Sequence, residues 1–205
     1  MADHDIAHPL VASVYDYAVP DRVFGPHRAW LLEGLSGRVL EIGAGTGANF
    51  PYVDGEDIEY HAIEPDPHMR SRAVETATET GLAVDLHDSR AESLPFDDGS
   101  FDAVVAGLVF CTIEDPDTAL DEVVRVLRSG GEFRFLEHVH GSGITGVGQD
   151  FIEPLWSRLA GGCRLTRDSV EHFVAHESLE VLEIERVGAG IFPASPVVRG
   201  RLRKR

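Results

Sequence analysis

The sequence predicts an α/β protein with a Rossmann-like, doubly wound and mostly parallel sheet of seven strands, with helices on both faces. Three observations support this class. Short apolar runs alternate with amphipathic stretches, Asp-Pro pairs and glycines separate them, and the run at residues 101–109 is rich in valine and apolar on both faces. Strands that alternate with helices form βαβ units with parallel strands. A strand that is apolar on both faces belongs to the interior of such a sheet.

Four strands are predicted in the first half of the chain. The first spans residues 38–42 and stops at Gly43, where a glycine-rich turn begins. The second and third are the alternating runs 58–63 and 82–87, and the fourth is the valine-rich run described above. Each run is short and bounded by glycine, proline or acidic residues, as strands of a parallel sheet are.

Asp-Pro pairs mark the beginnings of two helices. Asp66-Pro67 supplies an N-cap and a proline at the first helical position, and the helix is predicted to run to about residue 80, before Gly81. Asp115-Pro116 opens another helix, which is predicted to end at Gly130-Gly131. Its core-facing stripe consists of Leu120, Val123, Val124 and Leu127. The remaining predicted elements are a fifth strand, a helix and two final strands, at residues 132–139, 166–177, 179–187 and 190–198.

Length and composition predict one intracellular domain. With 205 residues and 43% hydrophobic residues, the chain is long enough to bury a core. No apolar run approaches the ~20 residues that span a bilayer, the first ten residues lack a signal-peptide pattern, and two cysteines form no disulfide framework. We therefore expect a cytoplasmic protein without an integral membrane segment. Its expected parts are an N-terminal helical lid (1–36), a cofactor-binding core (37–139) and an acceptor-side region with the final strands (140–205).

The charge is strongly acidic and unevenly distributed. The chain has 35 Asp and Glu against 18 Lys and Arg, a formal net charge of −17, which disfavours nucleic-acid binding. Lys204 is the single lysine, and an acidic surface without lysine is typical of halophilic proteins. An acidic protein from a GC-rich genome is the alternative. Residues 199–205 hold five of the basic groups, and we expect them to be a solvated end rather than a membrane contact.

The glycine-rich turn after the first strand is the main functional signal. Gly43, Gly45 and Gly47 let backbone approach a ligand closely at the edge of the sheet. Gly43-x-Gly45-x-x-Ala48 with Glu64 21 residues on also fits the looser dinucleotide fingerprint, which leaves an NAD(P)-dependent oxidoreductase open. Glu41 favours a different ligand, because a carboxylate there would repel a pyrophosphate but suits an ammonium or sulfonium group.

Several ordered motifs resemble the class I S-adenosylmethionine (AdoMet) methyltransferases, specifically the type 11 methyltransferase domain. Over about residues 10–140 they are GRVLEIGAGTG, the acid after the second strand, AESLPFDDGSFDAVV and LDEVVRVLRSGGEF. The second half resembles the thiol methyltransferase-like branch, through LVFC, FLEHV, QD, PLW and GGCRLTRD. The resemblance implies AdoMet as cofactor and methyl transfer to a small, apolar acceptor. A thiol is favoured, and a lipid or quinol is possible.

The resemblance also assigns cofactor contacts residue by residue. It implies that the glycine loop lies against the methionine moiety, that Glu41 lies near its amino group, and that Glu64 accepts both ribose hydroxyls. Many relatives have an aspartate where this chain has Arg90, which makes the adenine contact the least defined. The implied cofactor-binding residues are Glu41, Gly43, Ala44, Gly45, Gly47, Glu64, Pro65, Met69, Ala91, Glu92, Leu108 and Phe110.

The acceptor is expected beside the carboxyl end of the fifth strand. Glu137 and His138 are the candidate catalytic residues there, and His138 is either a general base or a hydrogen-bond partner of the following loop. Tyr15 and Tyr17 are candidates for a lid over the methyl group, or for simple packing of an N-terminal helix. Trp156 is a candidate wall of an apolar acceptor pocket, or a core residue.

Weaker patterns leave the main hypothesis unchanged. His172 and His176 are spaced i, i+4 with Cys163 upstream, but this spacing matches no zinc module, so no metal site is predicted. Cys163 itself is expected to be a small buried residue in a tight turn rather than a reactive thiol. The oxidoreductase alternative lacks a Tyr-x-x-x-Lys pair. A third alternative is an AdoMet-binding protein without catalysis. The oligomeric state is not predicted.

Overall fold

The computed structural model describes residue 9 and residues 19–55, 57–188 and 192–205. Strands β1 to β7 are Gly37–Ile42, Ile58–Ile63, Val84–His87, Phe101–Gly107, Leu127–His138, Leu179–Val187 and Val197–Lys204. Helices α1 to α5 are Asp21–Leu32, Pro67–Thr80, Pro116–Val126, Ile144–Leu159 and Ser169–Ala175, and Phe50–Tyr52 forms a short 3-10 helix.

The strands form one sheet in the order β3-β2-β1-β4-β5-β7-β6. β1 pairs in parallel with β2 and β4, β2 with β3, and β4 with β5. Only β7 breaks this direction, because it runs antiparallel to both β5 and β6. The predicted seven-stranded, mostly parallel α/β fold is confirmed.

The sheet is covered on both faces because its central strands are apolar on both faces. Leu40 and Val104 pack with Leu120 of α3 and Phe173 of α5 on one side. Val39 and its neighbours pack on the other side against helices α1 and α2, through residues that include Leu31, Leu32, Ala73 and Ala77. None of the helices in the described part of the chain is both long and apolar enough to cross a membrane.

The helix starts predicted from Asp-Pro pairs are confirmed. Asp66 accepts hydrogen bonds from the backbone N–H groups of His68 and Met69, and the helix ends at Gly81, which has a φ of 72°. Asp115 likewise accepts from the backbone N–H of Thr118. These caps satisfy amide groups that have no partner inside the helix.

Several predicted element boundaries are wrong. α3 ends at Val126 rather than at Gly130-Gly131, because Leu127 is already extended and pairs with Phe101 of β4. β5 therefore begins five residues before its predicted start, with an irregularity in its pairing with β4. The third and fourth strands and the last helix are shorter than predicted, at Val84–His87, Phe101–Gly107 and Ser169–Ala175.

The expected solvated basic end is wrong. β7 contains most of that segment and lies inside the sheet between β5 and β6, whereas the strand was expected at 190–198. The guanidinium groups of Arg199 and Arg201 lie 4.5 and 4.7 Å from the centre of the Trp30 ring. Arg199 also forms an ion pair with Glu185 of β6, at 2.6 Å. The basic strand is held because its neighbour β6 is acidic.

Candidate active site

A cavity of about 180 Å³ opens at the carboxyl ends of β1, β2 and β4. Parallel strands place their carboxyl ends at one edge of the sheet, which is where open α/β sheets bind ligands. Its lining comes from the glycine turn, from the residues after β2, and from the segments that follow β3 and β4. The lining includes Gly43, Gly45, Glu64, Pro65, Met69, Arg90, Ala91, Glu92, Leu108, Val109, Thr112, Ile113, Ala160 and Gly161.

The three glycines of the turn have different reasons for being glycine. All have a positive φ (68°, 57° and 80°), which other residues adopt only with strain. A Cβ on Gly43 would collide with Val109, and one on Gly47 would lie 2.7 Å from the Phe50 ring. A Cβ on Gly45 would meet nothing within 4 Å, although Gly45 lines the cavity. Gly45 therefore keeps open a space that a side chain would fill.

Glu64 joins the glycine turn to the segment after β2. Its Oε2 accepts a hydrogen bond from the backbone N–H of Gly45 at 2.8 Å, and its Oε1 accepts one from the N–H of Asp66 at 2.9 Å. Burial raises the pKa of Glu64. Each carboxylate oxygen has a second lone-pair site, so the group retains acceptor capacity toward the cavity.

Glu41 lies beside the main cavity rather than in its lining. Its carboxylate is 1% exposed and accepts hydrogen bonds from Asn49 at 2.6 Å and from the Tyr60 hydroxyl at 2.9 Å. Burial raises its pKa to about 7. It borders a smaller cavity of about 20 Å³, which shares Gly43 and Leu108 with the main one. Ala44 also lines this smaller cavity, whereas Gly47 lines neither.

The residues expected near the adenosine are part of the lining of the main cavity. They are Pro65, Met69, Ala91 and Glu92, a mixture of apolar and charged side chains. Arg90 also lines the cavity and pairs with Glu114 at 2.8 Å and with Glu92 at 3.4 Å. Arg90 therefore neutralises carboxylates there instead of adding another acid.

Leu108 and Phe110, both expected to close over the cofactor, lie in different environments. Leu108 lines the cavity and is the one non-glycine residue with a positive φ (57°) in the described part of the chain. Its N–H donates to the carbonyl of Leu136 at 2.7 Å, which holds this conformation. Phe110 is fully buried in the core, with its ring 4.7 Å from that of Phe173, and it does not line the cavity.

Glu137 and His138 lie at the carboxyl end of β5 and are both buried. Glu137 Oε1 accepts from the backbone N–H groups of Val109 and Phe110, at 2.9 and 3.0 Å, and so holds the segment after β4. Its Oε2 is buried without a hydrogen-bond partner among the described residues. Burial raises the pKa of Glu137 to about 7.

His138 contacts a cysteine rather than the following loop residues. Its Nε2 lies 3.2 Å from Sγ of Cys163, and its Nδ1 is buried with no hydrogen-bond partner in the described chain. Burial lowers the pKa of His138, but the contact with Cys163 outweighs it and the pKa is raised. Neither nitrogen belongs to the lining of the cofactor cavity.

Cys163 also lies close to Cys111, a contact that the sequence pattern did not predict. The two residues are 52 positions apart, but the backbone N–H of Arg164 donates to the carbonyl of Cys111 at 3.0 Å. Sγ of Cys111 donates to the carbonyl of Leu108 at 3.8 Å, and the proximity of the two thiols lowers the pKa of Cys163 and raises that of Cys111. Cys163 is partly exposed and Cys111 is buried. Cys163 follows a turn, in which its N–H donates to the carbonyl of Ala160 at 3.1 Å, but it is not fully buried as expected.

The other candidate residues are placed as follows. The indole of Trp156 lies beside Cys163 and helps to lower the pKa of its thiol, with Nε1 buried but outside hydrogen-bond geometry to any described acceptor. Tyr15 and Tyr17 lie outside the described residues. His172 and His176 pair with Asp117 and Asp121, at 2.6 and 3.1 Å, and not with Cys163.

Comparison with known proteins decides among the remaining hypotheses. A family model described as a methyltransferase domain matches residues 40–135. The human thiol S-methyltransferase TMT1B is 33% identical over 183 residues, which cover 83% of this chain and 72% of the relative. The phosphatidylethanolamine N-methyltransferase of Cereibacter sphaeroides is 32% identical, over 62% of this chain and 64% of that protein. The chain belongs to the S-adenosylmethionine-dependent methyltransferases.

A solved structure confirms the fold of the methyltransferase. The YcgJ protein of Bacillus subtilis superposes with a TM-score of 0.67 at 20% identity, over 90% of this chain and 98% of that chain. The cofactor of the family is AdoMet, and the oxidoreductase and non-catalytic alternatives are set aside.

The residues that line the cavity of this methyltransferase fit AdoMet. Gly45 leaves space that a Cβ would fill, Glu64 presents a buried acceptor, and apolar Met69 and Ala91 line the end expected for the base.

Proposed function

We propose that this methyltransferase methylates the sulfur of a small, apolar thiol. In this proposal the turn at Gly45 borders the methionine end of AdoMet, Glu64 binds the ribose hydroxyls, and Met69 and Ala91 contact the adenine. Glu41 reaches the amino group only indirectly, since its carboxylate already binds Asn49 and Tyr60. The similarity to a relative named as a thiol S-methyltransferase, over most of this chain, supports a sulfur acceptor.

The observation that carries the acceptor class is one stretch of the cavity lining, which we call the acceptor wall. This wall is uncharged, because it consists of Leu108, Val109, Thr112 and Ile113 together with Ala160-Gly161. The charged residues of the cavity lining are Glu64, Asp66, Arg90, Glu92 and Glu114, and the one that directly follows this wall, Glu114, is paired with Arg90 at 2.8 Å. A charged acceptor would lose its hydration at this wall without gaining a partner, whereas an apolar thiol would gain contacts.

Helix α4 adds a second apolar surface on the acceptor side. One face of this helix is strongly exposed and apolar, at Ile144, Val147, Phe151, Leu155 and Leu159. The opposite face carries Gln149, which holds the loops around it, and Trp156, which lies beside Cys163. An exposed apolar stripe of this kind is typical of a surface that meets apolar molecules, so it favours a hydrophobic acceptor.

The chemistry assigned to the protein is mainly orientation and exclusion of water. When bound, AdoMet supplies an electrophilic methyl group whose leaving group, a neutral thioether, needs no acid. The chain must align the acceptor with that methyl group and keep water away from it. Glu137 contributes to alignment, because it fixes the backbone of Val109, on the acceptor wall, and of Phe110, buried behind it. To act as a base, His138 would have to bind the acceptor through Nε2, the nitrogen that contacts Cys163.

A binding and turnover experiment tests the proposal. Calorimetric titration in molar KCl should detect AdoMet binding, and mass spectrometry should detect methylated product with alkyl and benzyl thiols. Hydroquinones, phosphatidylethanolamine vesicles and primary amines form the comparison panel. Faster turnover of the thiols supports the proposal. Faster methylation of a quinol or of the lipid amine would contradict it, and AdoMet binding in the same sample would show that the cofactor site is intact.

A further inference from the structure

Three side chains that can bind a soft metal meet beside the acceptor wall. Sγ of Cys111, Sγ of Cys163 and a ring nitrogen of His138 all lie within 4.8 Å of one another, and Nε2 of His138 lies 3.2 Å from Cys163. We propose that Cys111, Cys163 and His138 bind a zinc ion, and that the fourth position of this ion binds the sulfur of the thiol acceptor. The second part rests on the proposed function.

The spacing of the three atoms fits tetrahedral zinc. Zinc binds cysteine sulfur at about 2.3 Å and histidine nitrogen at about 2.0–2.1 Å, so tetrahedral ligand atoms lie about 3.5–3.8 Å apart. The contact of 3.2 Å between His138 and Cys163 would therefore open by only a few tenths of an ångström.

The charges also balance. Before a thiol binds, two thiolates and a neutral imidazole offset the charge of Zn²⁺, and a bound acceptor thiolate would then give the cluster one negative charge. This matters next to Glu137, which is itself buried.

The backbone holds the three ligands in place before any metal is present. Cys111 follows β4 and His138 ends β5, and these two strands are adjacent and parallel, with Gly107 paired with Leu136. The N–H of Arg164 donates to the carbonyl of Cys111 at 3.0 Å, and the Arg167 guanidinium donates to the carbonyl of Phe110 at 2.7 Å. These bonds attach the loop that carries Cys163 to the segment that carries Cys111.

The imidazole of His138 is weakly bonded for a buried ring. His138 is 2% exposed, its Nδ1 has no hydrogen-bond partner among the described residues, and its single polar side-chain contact there is Cys163. A buried imidazole so poorly bonded is unusual, because buried polar groups nearly always have partners. A metal on Nε2 would replace the weak contact of this ring with the Cys163 sulfur by a strong bond.

Among the described residues the cluster has three ligands, which indicates an open site. Structural zinc sites have four protein ligands, whereas catalytic sites have three and leave one position for water or substrate. Val109 and Thr112, which flank Cys111 closely, and Gly161, which precedes Cys163, all line the cofactor cavity. The open position would thus lie at the acceptor wall.

The open position gives the metal a defined role. An incoming thiol would displace water from zinc and lose its proton to solvent, becoming a bound thiolate. That sulfur would then form a bond to the methyl carbon while the bond from this carbon to the sulfonium sulfur breaks. The thioether product would leave, and the charge of the metal would not change.

Metal analysis tests the site without using activity. The full chain, purified with a phosphine reductant and dialysed against Zn²⁺ and then against metal-free buffer, should retain one zinc per chain. Cys163→Ser should weaken zinc binding by at least about 100-fold, because even residues outside the ligand shell change affinity 10–100-fold. Cys111→Ser should behave alike, and thermal denaturation and AdoMet titration would confirm that both variants fold.

A second cluster provides the matched control. A ligand atom from each of His61, Asp85 and His87 also lies within 4.8 Å of the other two, on β2 and β3, and none of the three residues lines the cavity. His87→Ala should leave the retained zinc unchanged. Absence of zinc from the wild-type chain, or loss of zinc in His87→Ala but not in Cys163→Ser, would overturn the proposal.

Substitution of zinc by cobalt tests metal binding and acceptor binding separately. Co²⁺ in place of zinc should give the intense visible absorption of a tetrahedral site with thiolate ligands, and addition of benzyl thiol should shift it. A bound metal whose spectrum does not respond to thiol overturns the role in acceptor binding. A shifted spectrum with no thiol methylation would instead count against the proposed function.

Discussion

Replacement of Glu64 tests the link between the glycine turn and the cofactor. Its two oxygens accept hydrogen bonds from the N–H groups of Gly45 and Asp66, at 2.8 and 2.9 Å, and in our proposal they also accept from the ribose. Glu64→Ala removes all of these acceptors. Glu64→Gln keeps the shape and one oxygen, but places an NH₂ donor where the second backbone N–H must be accepted.

The expected loss follows from the strength of charged hydrogen bonds. Hydrogen bonds to an ionised group are worth about 1.5–3 kcal/mol each, and an unsatisfied buried donor costs about 1–3 kcal/mol. We expect Glu64→Ala to weaken AdoMet binding by about 1–3 kcal/mol, which is roughly 5- to 150-fold in Kd. Glu64→Gln should show a smaller loss in the same direction. Both variants should also be less stable, because the glycine turn loses its bond to this carboxylate.

Isothermal titration with AdoMet gives Kd, and thermal denaturation with and without AdoMet separates binding from folding. Glu59→Gln is the matched control, since it removes a mostly exposed carboxylate from the same strand, β2. Folded Glu64 variants that bind AdoMet within twofold of the wild-type Kd would refute the ribose contact. Equal losses in Glu59→Gln would show that net charge, not this site, determines affinity.

Four further changes address other parts of the molecule. Gly45→Val should abolish AdoMet binding measured by calorimetry. Gly81 has a similar φ (72° against 57°) and equally open space, so Gly81→Val is the control and should lower stability only. Equal AdoMet affinities of the two variants would contradict the cavity assignment. Burial raises the pKa of Glu41 to about 7, so the contribution of Glu41 to stability falls as pH rises from about 4.5 to 7. Glu41→Gln should flatten this part of the profile of unfolding free energy against pH, by at most about 3 kcal/mol. An unchanged profile would contradict the raised pKa. Phe110→Leu should lower Tm but leave the Kd for AdoMet within twofold, and a large change in Kd would restore the expected cofactor contact. Deletion of residues 199–205 should abolish the cooperative thermal transition, because they form an interior strand, and a deletion variant of normal Tm would refute that placement.

The cofactor half could be predicted from the sequence because its signals are local. The turn from β1 into the glycines, the acid after β2 and the Asp66-Pro67 helix start each depend on a few consecutive residues. A parallel sheet then brings the ends of its strands to one edge, so local predictions became a three-dimensional site without further information. The reassignment of Phe110 shows the limit, since a one-residue step from Val109 separates the cavity lining from the core.

The basic end was mispredicted because charge was given more weight than periodicity. Val198, Gly200 and Leu202 alternate with arginines, and they are the buried positions of β7. Such alternation indicates a strand, but a run of basic residues usually indicates a solvated surface. The deciding factor was the neighbour, because Glu185 on β6 and the ring of Trp30 accept the cationic side chains. That pairing is a tertiary property and is absent from the local pattern.

The acceptor side of the site is built partly from the loop after α4 rather than from strand ends alone. Its residues were therefore predicted less well from the sequence. His138 ends a strand and was correctly expected at the edge of the sheet, but its partner Cys163 arrives from a loop after a 16-residue helix. The hydrogen bonds that fix this loop, such as that from Leu165 to the Glu153 carboxylate at 2.7 Å, do not follow from any short motif. Acceptor choice in this methyltransferase should therefore respond to changes in α4 and its following loop, and those that spare Ala160 and Gly161, which line the cofactor cavity, should leave AdoMet binding intact.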